Sequence, residues 1–468
     1  MNRASLVKAL QTDSAVSEIS EHLPFEMKKM KPRDKEILNI AIPSIISNIT
    51  VPLLGMVDVA IMGHLGNAAY IGAIAVGSMI FNVIYWLFGF LRMGTSGMTS
   101  QAYGARNLEE VTKLLLRSQL ISLLIALAII LLQYPIAQGA LFLMRPTPEI
   151  SQMAQRYFNV CIWGAPAMLG LYGFMGWFIG MQNTRIPMFI SIMQNVVNIC
   201  VSLALVLFAG MNIEGVAIGT LVAQWSGMLA AVAFFLALYR PKLRLHFNMR
   251  GVITHTAMTS FFKVNRDIFL RTLFLVAVNF FFTSAGSAQG TMILAVNTLL
   301  LQLHTIFSYF MDGFAYAGEA VGGKYYGAKN KLAFNDTIRR LFVWGGAMVL
   351  AFTLLYTLGG RGFLGLLTND QQVITSALPY FGWTIALPLA GMAAFVWDGV
   401  FIGITATRGM LTSSALAALL FFATFYLLRP FLGNHALWLA FILYLASRGL
   451  IQTYLFKRIE GVRALQQT

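Results

Sequence analysis

The pentapeptide YGARN at residues 103–107 returns as YGAKN at 326–330, 223 positions later. A second stretch, FIGMQNTR at 178–185, returns as FIGITATR at 401–408 with the same offset. Two matches at one spacing mark an internal duplication. Around them, each copy holds six apolar runs of the roughly 20 residues a helix needs to cross a bilayer. About twelve spans are expected, near 36–63, 70–98, 111–144, 152–180, 187–209, 214–239, 262–285, 291–322, 336–366, 373–404, 410–429 and 434–456. An even number per copy gives both halves the same orientation, related by an axis along the membrane normal. The expected fold is an all-α polytopic membrane protein with two pseudo-symmetric six-helix lobes. A cytoplasmic extension is expected over 1–31, an N-lobe over 32–239 and a linker over 240–261. A C-lobe over 262–458 and a tail over 459–468 complete the division.

Composition agrees with this reading. Of 468 residues, 58% are hydrophobic and 11% charged, against about 25% charged in soluble domains. The net charge of +15 belongs to loops. Twenty-five Lys and Arg fall on the side of the N-terminus and four on the other, so both termini are expected in the cytoplasm of a cell with an inner membrane. No nucleic-acid partner is expected, and the lipid bilayer is the partner. The first twenty residues lack a long apolar core before a small-residue cleavage site, so no signal peptide is expected. Cys161 and Cys200 lie inside apolar runs and read as packing residues.

The chemistry concentrates in residues 43–63, PSIISNITVPLLGMVDVAIMG. Asp58 is an ionisable group inside a span, which costs about 2.5–3.5 kcal/mol on insertion scales and marks a functional site by default. Pro43 and Pro52 free backbone carbonyls and permit the helix to bend. No Gly-rich loop ending in GK[ST] is present, so no ATP site is expected. The six histidines show no metal spacing, and no loop is long enough for a catalytic domain. The chain reads as neither enzyme nor cofactor protein, and any pumping draws on an ion gradient.

The C-lobe carries Arg266 and Asp267 in the seventh span, Asp312 and Glu319 in the eighth, and Asp398 in the tenth. Arg266 can pair with Asp398, or Asp267 with Arg271 one turn on. Two readings stay open: a buried ion-pair network, or a second coupling-ion site centred on Asp398. Arg92 in the second span either neutralises Asp58 or snorkels to the cytoplasmic end. Met56, Tyr85, Trp86 and Trp177 are candidates for lining a central cavity, where methionines and π-faces tolerate varied apolar cations.

The duplicated YGA[RK]N and FIG…TR loops stand beside Pro43 and Asp58, Asn195-Val196-Val197-Asn198, Asn265-Arg266-Asp267 and Trp397-Asp398-Gly399. In this order the chain, over about residues 32–458, resembles the multidrug and toxic compound extrusion (MATE) family in its DinF-like branch. The resemblance implies a cation-coupled antiporter whose two lobes form a V of alternating access. It implies that Asp58 is the first-helix coupling acid, that Pro43 lets that helix bend, and that Asn198 and Thr220 face the same N-lobe cavity. Many relatives carry an Asp where this chain has Ser202, leaving one carboxylate in that cavity.

Sodium prefers several hard oxygen ligands including charge. A proton needs one carboxylate titrating near the working pH, and burial moves carboxylates toward that range. The expected function is export of amphipathic organic compounds in exchange for protons, by a monomer. A sodium-coupled drug antiporter and an exporter or flippase of an organic anion or lipid-linked substrate are the alternatives. A membrane enzyme or receptor is the reading from another class.

Overall fold

The computed structural model describes the backbone of residues 31–63, 68–243, 251–459 and 462, and their side chains except at 51–63, 68 and 242. The expected extension over 1–31 and tail over 459–468 fall almost wholly outside these residues. Among the described residues all regular structure is helical.

Six long helices precede the linker: α1 Pro32–Gly63, α2 Ala69–Gly104, α3 Leu108–Leu131, α4 Pro148–Gly180, α5 Arg185–Leu207 and α6 Ile213–Tyr239. Six follow it: α7 His255–Ser287, α8 Thr291–Gly327, α9 Lys331–Leu367, α10 Gln371–Gly403, α11 Thr407–Leu432 and α12 Asn434–Phe456. The eleven from α2 to α12 are long and apolar enough to cross a membrane. In α1 the charges sit in the first turn, Asp58 apart. The seventh helix starts at His255, inside the stretch expected as linker, because the Thr254 hydroxyl accepts the Ala257 amide and caps it there.

The duplication is written into the backbone. Arg106 and Lys329 take left-handed φ values of 57° and 54°, and Gln182 and Thr405 take 64° and 55°. In each loop the next amide closes back on the helix: Asn107 N–H on Ala102 O, Asn330 on Tyr325 O, Asn183 on Phe178 O and Ala406 on Phe401 O. This helix-ending motif consumes carbonyls that a terminus leaves unpaired. Asn107 and Asn330 then cap α3 and α9 by accepting the amides of Glu110 and Ala333. Few sequences tolerate a left-handed non-glycine followed by a cap, which explains why these loops kept their sequence in both copies.

Each lobe has its own apolar core, one around Trp177, Phe158 and Phe178, the other around Trp438, Phe282 and Phe307. The start of α1 departs from the expected division. Ile37, Leu38, Ile40 and Ala41 pack into the C-lobe core, and Gly313 of α8 has no room for a Cβ beside Ala41 and Ile45. Trp177 is corrected as a cavity candidate. It is fully buried in the N-lobe core, donates its indole N–H to Val111 O at 2.9 Å and packs edge-on against Tyr239. A tryptophan so placed satisfies its one donor internally. Tyr85 is also buried, Trp86 is exposed, and Met56 is outside the described side chains. Cys161 is buried as expected, whereas Cys200 is exposed.

The lobes meet at the lysine- and arginine-rich end around the pseudo-twofold axis. Gly104 lies against the Lys324 carbonyl and Gly327 against the Gln101 carbonyl, and 101 and 324 are equivalent positions. Ser100 donates to Glu319 O at 2.9 Å, Gln101 Nε2 to Gly403 O at 2.9 Å and Gln182 Nε2 to Ala320 O at 2.7 Å. A side chain at Gly104 must force this contact open. Overpacking costs about 1–3 kcal/mol, roughly five- to a hundred-fold in population. Gly104→Val is therefore expected to accelerate thiol labelling of a Ser100→Cys reporter by such a factor, with Cys200→Ser in the background. Unchanged labelling would contradict the closed contact.

Candidate functional site

The first helix ties the two lobes together. Proline at 43 has no N–H for the Asn39 carbonyl. Thr184, in the FIG…TR loop, supplies a hydroxyl instead, 3.3 Å from Asn39 O and 3.1 Å from Ile40 O. Farther along, Ser47 Oγ meets Ser191 Oγ at 2.8 Å and Asn195 Nδ2 donates to Thr50 O at 2.7 Å. These pairs set α1 and α5 side by side with an offset of 144 to 145 residues. Continued along the two helices, that register brings position 58 level with Ser202. On its other flank Asn48 Nδ2 donates to Tyr309 O of α8 at 3.3 Å.

Asp58 and Pro52 fall outside the described side chains, while their backbone continues α1. The other expected N-lobe members come together on α5 and α6. Asn198 Nδ2 donates to Thr220 Oγ1 at 3.1 Å. Ser202 is fully buried one turn on, where Gly219 lets α6 approach so closely that a Cβ would strike the Ser202 hydroxyl. The arrangement offers neutral oxygens at membrane depth.

The C-lobe charges are paired differently from the expectation. Asp398 does not meet Arg266. It holds Arg271 of α7 through one carboxylate oxygen, which Arg448 of α12 also reaches at 2.6 Å, while Gln452 Nε2 donates to the other oxygen at 2.6 Å. Nor does Asp267 pair with Arg271: its Oδ1 takes Nε and Nη2 of Arg266 at 3.2 and 3.0 Å, and its Oδ2 takes Thr407 at 3.4 Å. Arg266 lies about 140° around α7 from Arg271, which takes the face toward Asp398. Asp267 is one turn from Arg271 but is held by Arg266 and Thr407 instead. Asp312 has no ion pair within 4.0 Å among the described residues.

Two features escaped the sequence reading. Arg92 crosses the lobe boundary to Glu319 at 3.2 Å and lies over the Tyr316 ring at 4.2 Å. Glu319 sits in a π-helical turn, Gly318–Gly322, a local irregularity frequent at functional sites. The offset gives Arg92 the mate Ala315 and Glu319 the mate Ser96. Charges without a charged mate were the available signal. The second feature is the first turn of α1. Asp34 binds Arg340 and Trp344 of α9, Glu36 accepts from Tyr325 at 2.7 Å, and Arg33 stacks on the Tyr325 ring.

Removing one partner of a buried pair leaves an uncompensated charge, at about 3–5 kcal/mol. Glu319→Gln alone is therefore expected to lower the thermal midpoint in detergent more than Arg92→Met/Glu319→Gln together. Equal losses for the single and the double variant would remove the pair from the account.

Comparison with known proteins agrees with this geometry. The MatE family profile matches residues 43–204 and 268–427, one match per lobe. The DNA damage-inducible protein F of Escherichia coli (strain K12) is 37% identical over 429 residues, covering 91% of this chain and 92% of its own. A structure described as the outward-facing conformation of a multidrug resistance MATE family transporter superposes with a TM-score of 0.84 at 19% identity, covering 95% and 98% of the two chains. A MATE crystal structure in the bent conformation superposes at 0.83 with 19% identity, covering 93% and 97%. With a profile match in each lobe and a relative this similar along nearly its whole length, the chain belongs to the MatE family of multi-pass membrane transporters.

Proposed function

We propose that this transporter exports amphipathic organic compounds in exchange for protons, with Asp58 as the coupling carboxylate. The observation that carries the reading is the lobe boundary. Two lobes with separate cores close on each other at the lysine- and arginine-rich end through short polar contacts and bare glycines, which can part without disrupting either core. Such a boundary suits alternating access.

Proton coupling is supported by what the other candidates lack. Asp398 is neutralised by two guanidinium groups, which would repel a sodium ion. Asn198, Thr220 and Ser202 add oxygens without charge, and sodium prefers a charged cage. In the cycle we infer, protonation of Asp58 alters its hydrogen bonding at the level of Asn198 and Ser202. The first helix then bends near Pro43 and Pro52, the cavity shrinks and substrate leaves. Because α1 is fastened to both lobes, its bending changes how they meet.

The test is ethidium efflux from proteoliposomes under an imposed pH gradient or an imposed sodium gradient. Efflux driven by pH alone is expected. Efflux driven by sodium alone would overturn the coupling ion, and no efflux under either would overturn the substrate class.

A further inference from the structure

A groove of about 760 Å³ runs between the start of α7 and the flanks of α2 and α3, at the lobe boundary and lined by none of Asn198, Ser202 and Thr220. Its floor and walls are apolar: Phe88, Phe90, Ile121, Ile125, Phe262 and Phe269. Phe90 and Phe269 meet edge to face at 5.8 Å and close its inner end. Its outer end carries His255, Lys263 and Arg266, all exposed. No carboxylate lines it. The nearest, Asp267, is buried against Arg266 and Thr407. Lys263 has no hydrogen-bond or ion-pair partner among the described residues.

Length fixes the depth. The 33 residues of α7 span about 50 Å, while the hydrocarbon core is about 30 Å thick. With Ser287 at the lysine-poor face, the hydrocarbon core reaches to about Asp267, so Lys263 and Arg266 stand at headgroup level and His255 about 12 Å farther out. Phe269, packed on Phe90, lies just below that level. Cations at headgroup level above an aromatic pocket form a two-part receptor.

We propose that this groove binds one anionic phospholipid from the leaflet at the lysine- and arginine-rich end. The phosphate sits against Lys263 and the outward N–H groups of Arg266. The upper part of one acyl chain lies against Phe269, Phe88 and Phe90. The lipid bridges the lobes at α2 and α7, beside the α2 break at Gly89. Lipid identity thereby becomes an input to how the lobes move.

The full chain, purified in detergent and titrated with dioleoyl-phosphatidylglycerol or dioleoyl-phosphatidylcholine, is read by native mass spectrometry. One tightly held phosphatidylglycerol is expected, preferred at least about five-fold over phosphatidylcholine, the factor one interfacial cation supplies. His255→Gln/Lys263→Gln changes two exposed side chains and should fold normally. It is expected to lower the preference about five-fold, the share of one cation, whereas Phe269→Ala weakens both lipids alike. Equal binding of the two lipids by the unaltered chain, or a preference unchanged in His255→Gln/Lys263→Gln, would overturn the proposal. Displacement of the bound lipid by ethidium would also overturn it, by making the groove part of the substrate path.

Discussion

Asp58→Asn is expected to fold, to bind dye, and to lose pH-driven efflux down to the level of protein-free vesicles. The side chains are nearly isosteric, so packing is preserved while the titratable proton is removed. The size of the effect follows from the lack of a substitute. The N-lobe's other acids, Asp34, Glu36, Glu109, Glu110, Glu149 and Glu214, all stand at the starts of helices, where they complement the helix dipole. Ser202, beside Asn198 and Thr220, cannot titrate. Asp58→Glu keeps the proton and should keep part of the activity. Stopped-flow efflux with size-exclusion profiles of each variant checks both. Undiminished pH-driven efflux by folded Asp58→Asn would move coupling to the C-lobe, where Asp312 is the carboxylate inside a span without an ion pair among the described residues.

The second large effect is on folding. Asp398→Ala leaves Arg271 and Arg448 facing each other in a site where all three residues are nearly buried. An uncompensated buried charge costs about 3–5 kcal/mol, and total stabilities of domains are only about 5–15 kcal/mol. Loss of most folded protein is expected, read as the monodisperse fraction after extraction. Asp398→Ala/Arg448→Met is expected to recover part of it, because one guanidinium then remains in place of two. This outcome separates a positioning network from a coupling site. Normal yield of Asp398→Ala with lost transport would favour the coupling site instead.

The fold was largely legible in the sequence for a physical reason. Eleven of the twelve expected spans follow from apolar length, and the lobes from two loops whose left-handed residues and asparagine caps restrict what can replace them. The site was legible only in its members. Asn198, Thr220 and Ser202 come together because α5 and α6 form an antiparallel pair that the short connection between them imposes. The partners of Asp398 were not legible. Which face of α7 meets α10 and α12 depends on helix rotation, and no local pattern reports it. The pair between Arg92 and Glu319 lies 227 residues apart across the lobe boundary, and the first turn of α1 reads from sequence as an ordinary charged membrane flank. Trp177 misled because an aromatic in a span looks the same whether it lines a cavity or fills a core.

The most direct test of proton exchange reverses the usual experiment. Proteoliposomes carrying an entrapped pH-sensitive dye are given a substrate gradient with no pH or sodium gradient, and proton movement is recorded. The account predicts proton flux opposite in direction to substrate, present in the unaltered chain, unaffected by replacing sodium with potassium, and absent in Asp58→Asn. Substrate movement without proton flux, or proton flux that persists in Asp58→Asn, would contradict it.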